Sequence, residues 1–168
     1  MSKNDQSHII VDMSNDMMSE LRQSKPFARA EEELYLSLIR TADVLARRVN
    51  DLLKKVGISH AQYNVLRILR GAGNDGLPCG EIGARMVTRD PDVTRLLDRL
   101  VQRGHVERGR GTGDRRVVSA RITAGGMALL DELDGPIQDL HAAHLGFLKP
   151  EETVRLIADL ERVRAHLG

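Results

Sequence analysis

Cysteine occurs once, at Cys79, tryptophan not at all, and tyrosine and phenylalanine twice each. A single thiol excludes an internal disulfide framework and a cysteine-rich zinc site, and it fits a reducing compartment. Scarce aromatics leave few platforms on which unpaired bases could stack, which argues against a single-strand nucleic-acid binder. They also oblige the core to be built from Leu, Ile, Val, Ala and Met. No apolar run approaches the ~20 residues that span a bilayer, so no membrane partner is expected. The N-terminal MSKNDQSHIIVDMSNDMMSE has neither a basic start nor a continuous apolar stretch, so no secretory signal is expected and the cytoplasm is the default location. A Gly-rich phosphate loop, a nucleophile elbow and a His-Glu-x-x-His run are also missing, so no enzyme, cofactor or metal centre is expected. His141 and His144 lie three apart, but without a third ligand beside them they read as solvated or interfacial histidines.

What the chain has instead is a local concentration of arginine. Residues 79–123 hold ten Arg and no Lys against six Asp or Glu. That segment carries net +4 against +1 for the whole chain, leaving −3 to the rest. A near-neutral total thus conceals a positive region of the kind phosphates attract.

The chain of 168 residues suffices for one well-buried core. Residues 1–30 are polar without a sustained period and read as an extension. From Glu31, the positions Leu34, Leu38, Leu45, Val49, Leu52 and Val56 keep helical spacing until Gly57. Ser59 and Gln62 form a capping-box pair that opens a second helix with Tyr63, Leu66 and Leu69 on one face. The run GAGNDGLP reads as a loop, and Glu81 to Met86 as a short third helix.

For the fourth helix the sequence offers Asp90 as N-cap, Pro91 at the first position and Asp92 at the positive end of the dipole. Its apolar stripe is Val93, Leu96, Leu97, Leu100 and Val101, which leaves Thr94, Arg95, Asp98, Arg99 and Gln102 on or near the open side. Gly104 stops it. Val106–Arg108 and Val117–Ile122 then make a two-stranded hairpin around a glycine-rich tip. Thr123 caps a fifth helix running towards Phe147, with a kink expected at Gly135-Pro136. A last helix follows Lys149-Pro150. The expected fold is therefore mainly α with a small β-hairpin wing: a winged helix-turn-helix over residues 57–123, flanked by helical regions 31–56 and 124–168. The flanking helices carry more apolar face than one small core can use, and a helical dimer interface is the natural place for the surplus.

The stretches VTRLLDRLVQRGHVER, GDRRVV and ITAGG, in that order and spacing, resemble the MarR family of bacterial transcriptional regulators. The resemblance runs from about Leu34 to the C-terminus. It implies a homodimer whose N- and C-terminal helices interlock, each subunit presenting its winged helix-turn-helix to DNA, with control relieved by a small-molecule effector or by oxidation.

An α-helix fits the major groove, and its N-terminal residues reach the base edges first. Thr88, Arg89, Asp92, Thr94 and Arg95 occupy that position, with Arg99 one turn on. Arg95 is the candidate for a bidentate guanine contact, the alternative being a solvated or phosphate-bound arginine. Asp92 caps the helix or reads a cytosine amino group, and capping is the preferred reading. In the wing, Arg110 and Arg115 are assigned to DNA. The resemblance implies that Arg116 pairs with Asp98 and fixes the wing against the recognition helix. It also implies an effector pocket, with His60 and Tyr63 as candidate lining. Cys79 reads as a small, partly buried residue, with redox sensing as the alternative. The expected partner is double-stranded DNA with a pseudo-palindromic operator. The rival reading is a helical protein-interaction dimer that keeps the fold without specific DNA binding.

Overall fold

The computed structural model describes residues 14–88, 92–110 and 118–168. Two compact units divide the chain at Arg47 and Arg48. Seven α-helices and three short strands are described: α1 (Ser14–Leu21), α2 (Ala30–Lys55), α3 (His60–Ala72), β1 (Leu77–Pro78), α4 (Cys79–Arg85), α5 (Val93–Gln102), β2 (Val106–Arg110), β3 (Val118–Ile122), α6 (Ala124–Leu145) and α7 (Pro150–Leu167).

In the first unit, α1 turns part of the expected N-terminal extension into regular structure. Arg40 donates to Glu20 at 3.3 Å. Leu34, Tyr35, Ile39 and Val44 of α2 remain exposed. The helix opens on Glu31, Glu32 and Glu33 and closes on Lys54 and Lys55, each set complementing the adjacent end of the helix dipole.

The second unit holds the core. Ser59 and Gln62 cap α3 reciprocally: Gln62 N–H donates to Ser59 Oγ at 3.2 Å and Ser59 N–H to Gln62 Oε1 at 2.9 Å. Leu53, Leu66, Leu69, Ile82, Leu100 and Leu130 are fully buried, which is the aliphatic core that the lack of aromatics required. The first half of α6 belongs to that core, since Leu130, Leu133 and Ile137 are part of it. The α6 helix is continuous through Pro136. No residue of α7 is buried, and Val154, Leu156, Ile157, Val163 and Leu167 are exposed.

Three expectations need correction. The hairpin is the larger part of a three-stranded antiparallel sheet in the order β1-β3-β2, because Leu77 and Pro78 of the presumed loop pair with Ala120 and Ser119. The α4 helix starts at Cys79, with Pro78 as a cap residue that makes no side-chain bond. The N-cap of α5 is Asp92, whose Oδ1 accepts from Arg95 N–H at 3.0 Å. Asp90 and Pro91 lie outside the described residues. Two aspartates flanking a proline offered two starts, and the later one satisfies an orphan N–H of the first turn.

Candidate nucleic-acid interface

The site is organised by α5, whose stripe of Val93, Leu96, Leu97 and Leu100 is buried. Helical period then forces Thr94, Arg95, Asp98 and Arg99 outward, and all four are exposed. Val101, assigned to the stripe from spacing, is exposed at 36%, so the inward face is narrower than the pattern implied.

On the other side of the helix-turn-helix, Asn64 of α3 accepts from Val87 N–H at 2.9 Å and holds the turn that leads to α5. Thr88 follows and is exposed. Cys79, at the start of α4, meets Thr94 across a 3.6 Å Sγ···Oγ1 contact. These two residues line a small cavity of about 170 Å³ with Leu97, Arg108 and Ser119. Cys79 is thus a partly buried packing residue between helix and sheet.

Strand register decides the charge pattern. In the β2–β3 ladder Val106 pairs with Ile122 and Arg108 with Ala120. Val106 and Ala120 are buried, so Arg108 shares the face that packs on the helices. Its guanidinium reaches Asp98 Oδ1 at 2.8 Å and the Thr94 carbonyl at 3.5 Å. Among the described residues, the cation that Asp98 meets is therefore Arg108. Arg116, the partner expected for it, lies outside the described residues together with Arg89 and Arg115, and Arg110 forms the end of β2. The signal for Arg108 was present in the sequence as Val-Glu-Arg, because alternation puts Arg108 on the same face as an inward Val106.

With Asp98 neutralised, the open face of α5 presents Arg95 and Arg99 with no ion pair among the described residues. Asp92 is occupied by capping. The exposed surface of α5 is consequently cationic, with Thr94 beside Arg95, which suits a polyanion with hydrogen-bonding edges.

The two residues considered for an effector pocket are placed differently. Tyr63 is a core residue, 5% exposed, with the Arg67 guanidinium 5.9 Å from its ring centroid. His60 opens α3 with its N–H on Asn50 Oδ1 at 3.3 Å. Burial, and secondarily the charge of His141, push the His60 pKa below its ordinary value. Among the described residues no cluster of three His, Cys, Asp or Glu could hold a metal ion, and no helix is long and apolar enough to cross a membrane.

The sequence pattern of the MarR family matches residues 56–117, the span from just after α2 to the residue before β3. The transcriptional repressor MdtR of Bacillus subtilis is 30% identical over 123 residues, covering 73% of this chain and 78% of the relative. A MarR transcription factor from Planctomyces limnophilus has 37% identity and a TM-score of 0.62 over 80% of this chain and 98% of its own. A mutant MarR of Escherichia coli, crystallised with operator DNA, has 31% identity and a TM-score of 0.67 over 76% of this chain and 91% of its own. The order of helices, turn and wing, the cationic outer face of α5 and these matches lead to one conclusion: the chain belongs to the MarR family of transcriptional regulators.

Proposed function

We propose that the chain acts in the cytoplasm as a homodimer that binds a pseudo-palindromic DNA operator through α5 and the wing, represses transcription, and is released by a small-molecule effector. The observation that carries this reading is the charge pattern of α5, in which Arg95 and Arg99 are exposed and have no ion pair among the described residues while Asp98 is neutralised from β2. The E. coli relative bound to operator DNA supports the same use of the fold.

Arg95 reads a guanine, and Thr88, Arg89, Asp92, Thr94 and Arg99 surround it. Arg110 and Arg115 carry the wing contact to the backbone. Dimer formation accounts for the exposed apolar side chains of α7 and of the N-terminal half of α2. A two-fold dimer requires two half-sites with centres about 10 base pairs apart.

The test is selection from a pool of random duplexes at two salt concentrations. Enrichment of a two-fold-symmetric site, with affinity falling steeply as salt rises, is the expected result. Absence of both would leave the helical interaction dimer as the better reading. Arg95→Ala should lower specific affinity and relax preference at one position, whereas Arg115→Ala should weaken all duplexes alike.

A further inference from the structure

Of the ten arginines in residues 79–123, Arg103 is turned away from the outer face of α5 and towards the end of α2. It is the C-cap residue of α5, and its guanidinium donates to the Gly57 carbonyl just beyond α2. Both helices end in the same way. At α5, His105 N–H donates to Leu100 O at 3.0 Å and Gly104 N–H to Val101 O at 2.9 Å. At α2, Ile58 N–H donates to Leu53 O at 3.2 Å and Gly57 N–H to Lys54 O at 3.1 Å. Gly104 and Gly57 take φ of +73° and +77°, as the left-handed residue of this double-bonded C-terminal motif must. Arg103 therefore ties two helix C-termini together: its backbone ends α5, and its guanidinium stands at the negative end of the α2 dipole. The guanidinium also lies against Gly57, where an added Cβ would come within 3.1 Å of Nη1 and 3.2 Å of Nη2, a contact the long side chain relieves by a small shift, so it is the φ that calls for glycine.

We propose that Arg103 is a positioning residue for DNA recognition, which fixes the C-terminal end of α5 to the end of α2 so that the N-terminal end meets base edges at a set angle. This rests on the DNA-binding reading above. From Arg103 back to Arg95 the helix rises about 12 Å, so a small tilt at the tie becomes a displacement at the proposed guanine contact. Bidentate readout is intolerant of such displacement, while diffuse attraction to phosphate is not.

The test compares Arg103→Met, which keeps the stem and removes the donors, with Arg103→Lys, which keeps a donor able to reach the carbonyl. With the full chain and a selected operator, Arg103→Met should weaken operator binding about tenfold. Affinity for a scrambled duplex and the slope of log affinity against log salt should stay unchanged, and Arg103→Lys should restore most of the loss. Equal weakening on both duplexes, with the slope shallower by about one, would make Arg103 a phosphate contact and overturn the proposal. Hydrogen exchange on free protein supplies a readout independent of DNA. Arg103→Met should accelerate exchange at Gly57, Ile58, Gly104 and His105 while the core of α3 keeps its protection, and unchanged exchange at those four amides would overturn the tie itself. If the parent protein showed no operator preference but exchange responded as expected, the DNA-binding reading would fail while the tie stood.

Discussion

Replacing Arg108 with methionine removes the cation that Asp98 meets and keeps most of the stem. The pair is half exposed, 38% for Arg108 and 50% for Asp98, so the free protein should lose only about 0.5 to 1 kcal/mol, a shift of about 2 °C in Tm. The larger effect falls on DNA binding, because a bare carboxylate now stands on the outer face of α5. At about 8 Å from a phosphate in a water-like medium the repulsion is about 0.5 kcal/mol, and two phosphates in reach make it about 1 kcal/mol, or fivefold in affinity. Screening lets most of this through at 0.01 M salt, where the Debye length is about 30 Å, and cuts it to about twofold near 0.15 M, where it is about 8 Å. Fluorescence anisotropy with a labelled operator at those two salt concentrations measures the difference. Adding Asp98→Asn to Arg108→Met should recover the salt-sensitive part and leave only the loss from a loosened wing. If the double variant bound no more tightly than Arg108→Met at low salt, neutralisation of Asp98 would not be the reason for this pair.

Gly126→Ala should destabilise by about 2 kcal/mol, since a Cβ there would strike the His105 carbonyl and stand 2.7 Å from Ile122 Cγ1, whereas at Gly125 the nearest atom is 3.5 Å away; Gly125→Ala should gain up to about 1 kcal/mol in a urea melt. Arg70 grips Asp134 with two bonds of 2.7 and 2.9 Å, and a double-mutant cycle should give a coupling of about 1 to 2 kcal/mol. The Arg70 hydrogen bonds hold the Asp134 pKa below its ordinary value, so its contribution is complete above the usual carboxylate range and is lost as pH falls through the depressed value; a coupling that persisted in strong acid would contradict it. His60, with a folded pKa lowered from 6.5, resists a proton that the unfolded chain accepts, so stability should be level above about pH 7 and decline below 6.5. His60→Gln should flatten that decline in urea midpoints taken at pH 7.5 and 5.5.

The helices were legible because apolar spacing and caps agreed. The paired bonds of Ser59 and Gln62 and the buried stripe of α5 are what the residues specify locally. Features that depend on distant chain were harder to read. A strand of two residues, Leu77–Pro78, has no period, and only the open edge of β3 gives it a partner. The start of α5 was ambiguous because Asp90 and Asp92 are both good caps, and no local rule chooses between them. Arg116, which the resemblance pairs with Asp98, lies outside the described residues, and the contact of Asp98 with Arg108 comes from the sheet register, which spacing along the wing motif does not show.

Charge shows the same division between count and placement. A net of +4 in residues 79–123 identifies a polyanion site only if the cations are free to leave the fold. Arg85 is held by Glu81 at 2.8 Å, Arg108 by Asp98, and Arg103 by the Gly57 carbonyl. The first two pairs remove equal positive and negative charge and leave the net unchanged, but on the outer face of α5 they leave Arg95 and Arg99 as the exposed charges. Arg103 differs, because it meets a carbonyl and keeps its charge while losing its freedom. A cation fixed this way, about 12 Å along the helix from Arg95, makes no phosphate contact of its own, and salt screens its charge from DNA bound there. The salt slope, which counts phosphates neutralised, should accordingly come out smaller than the number of arginines in the segment.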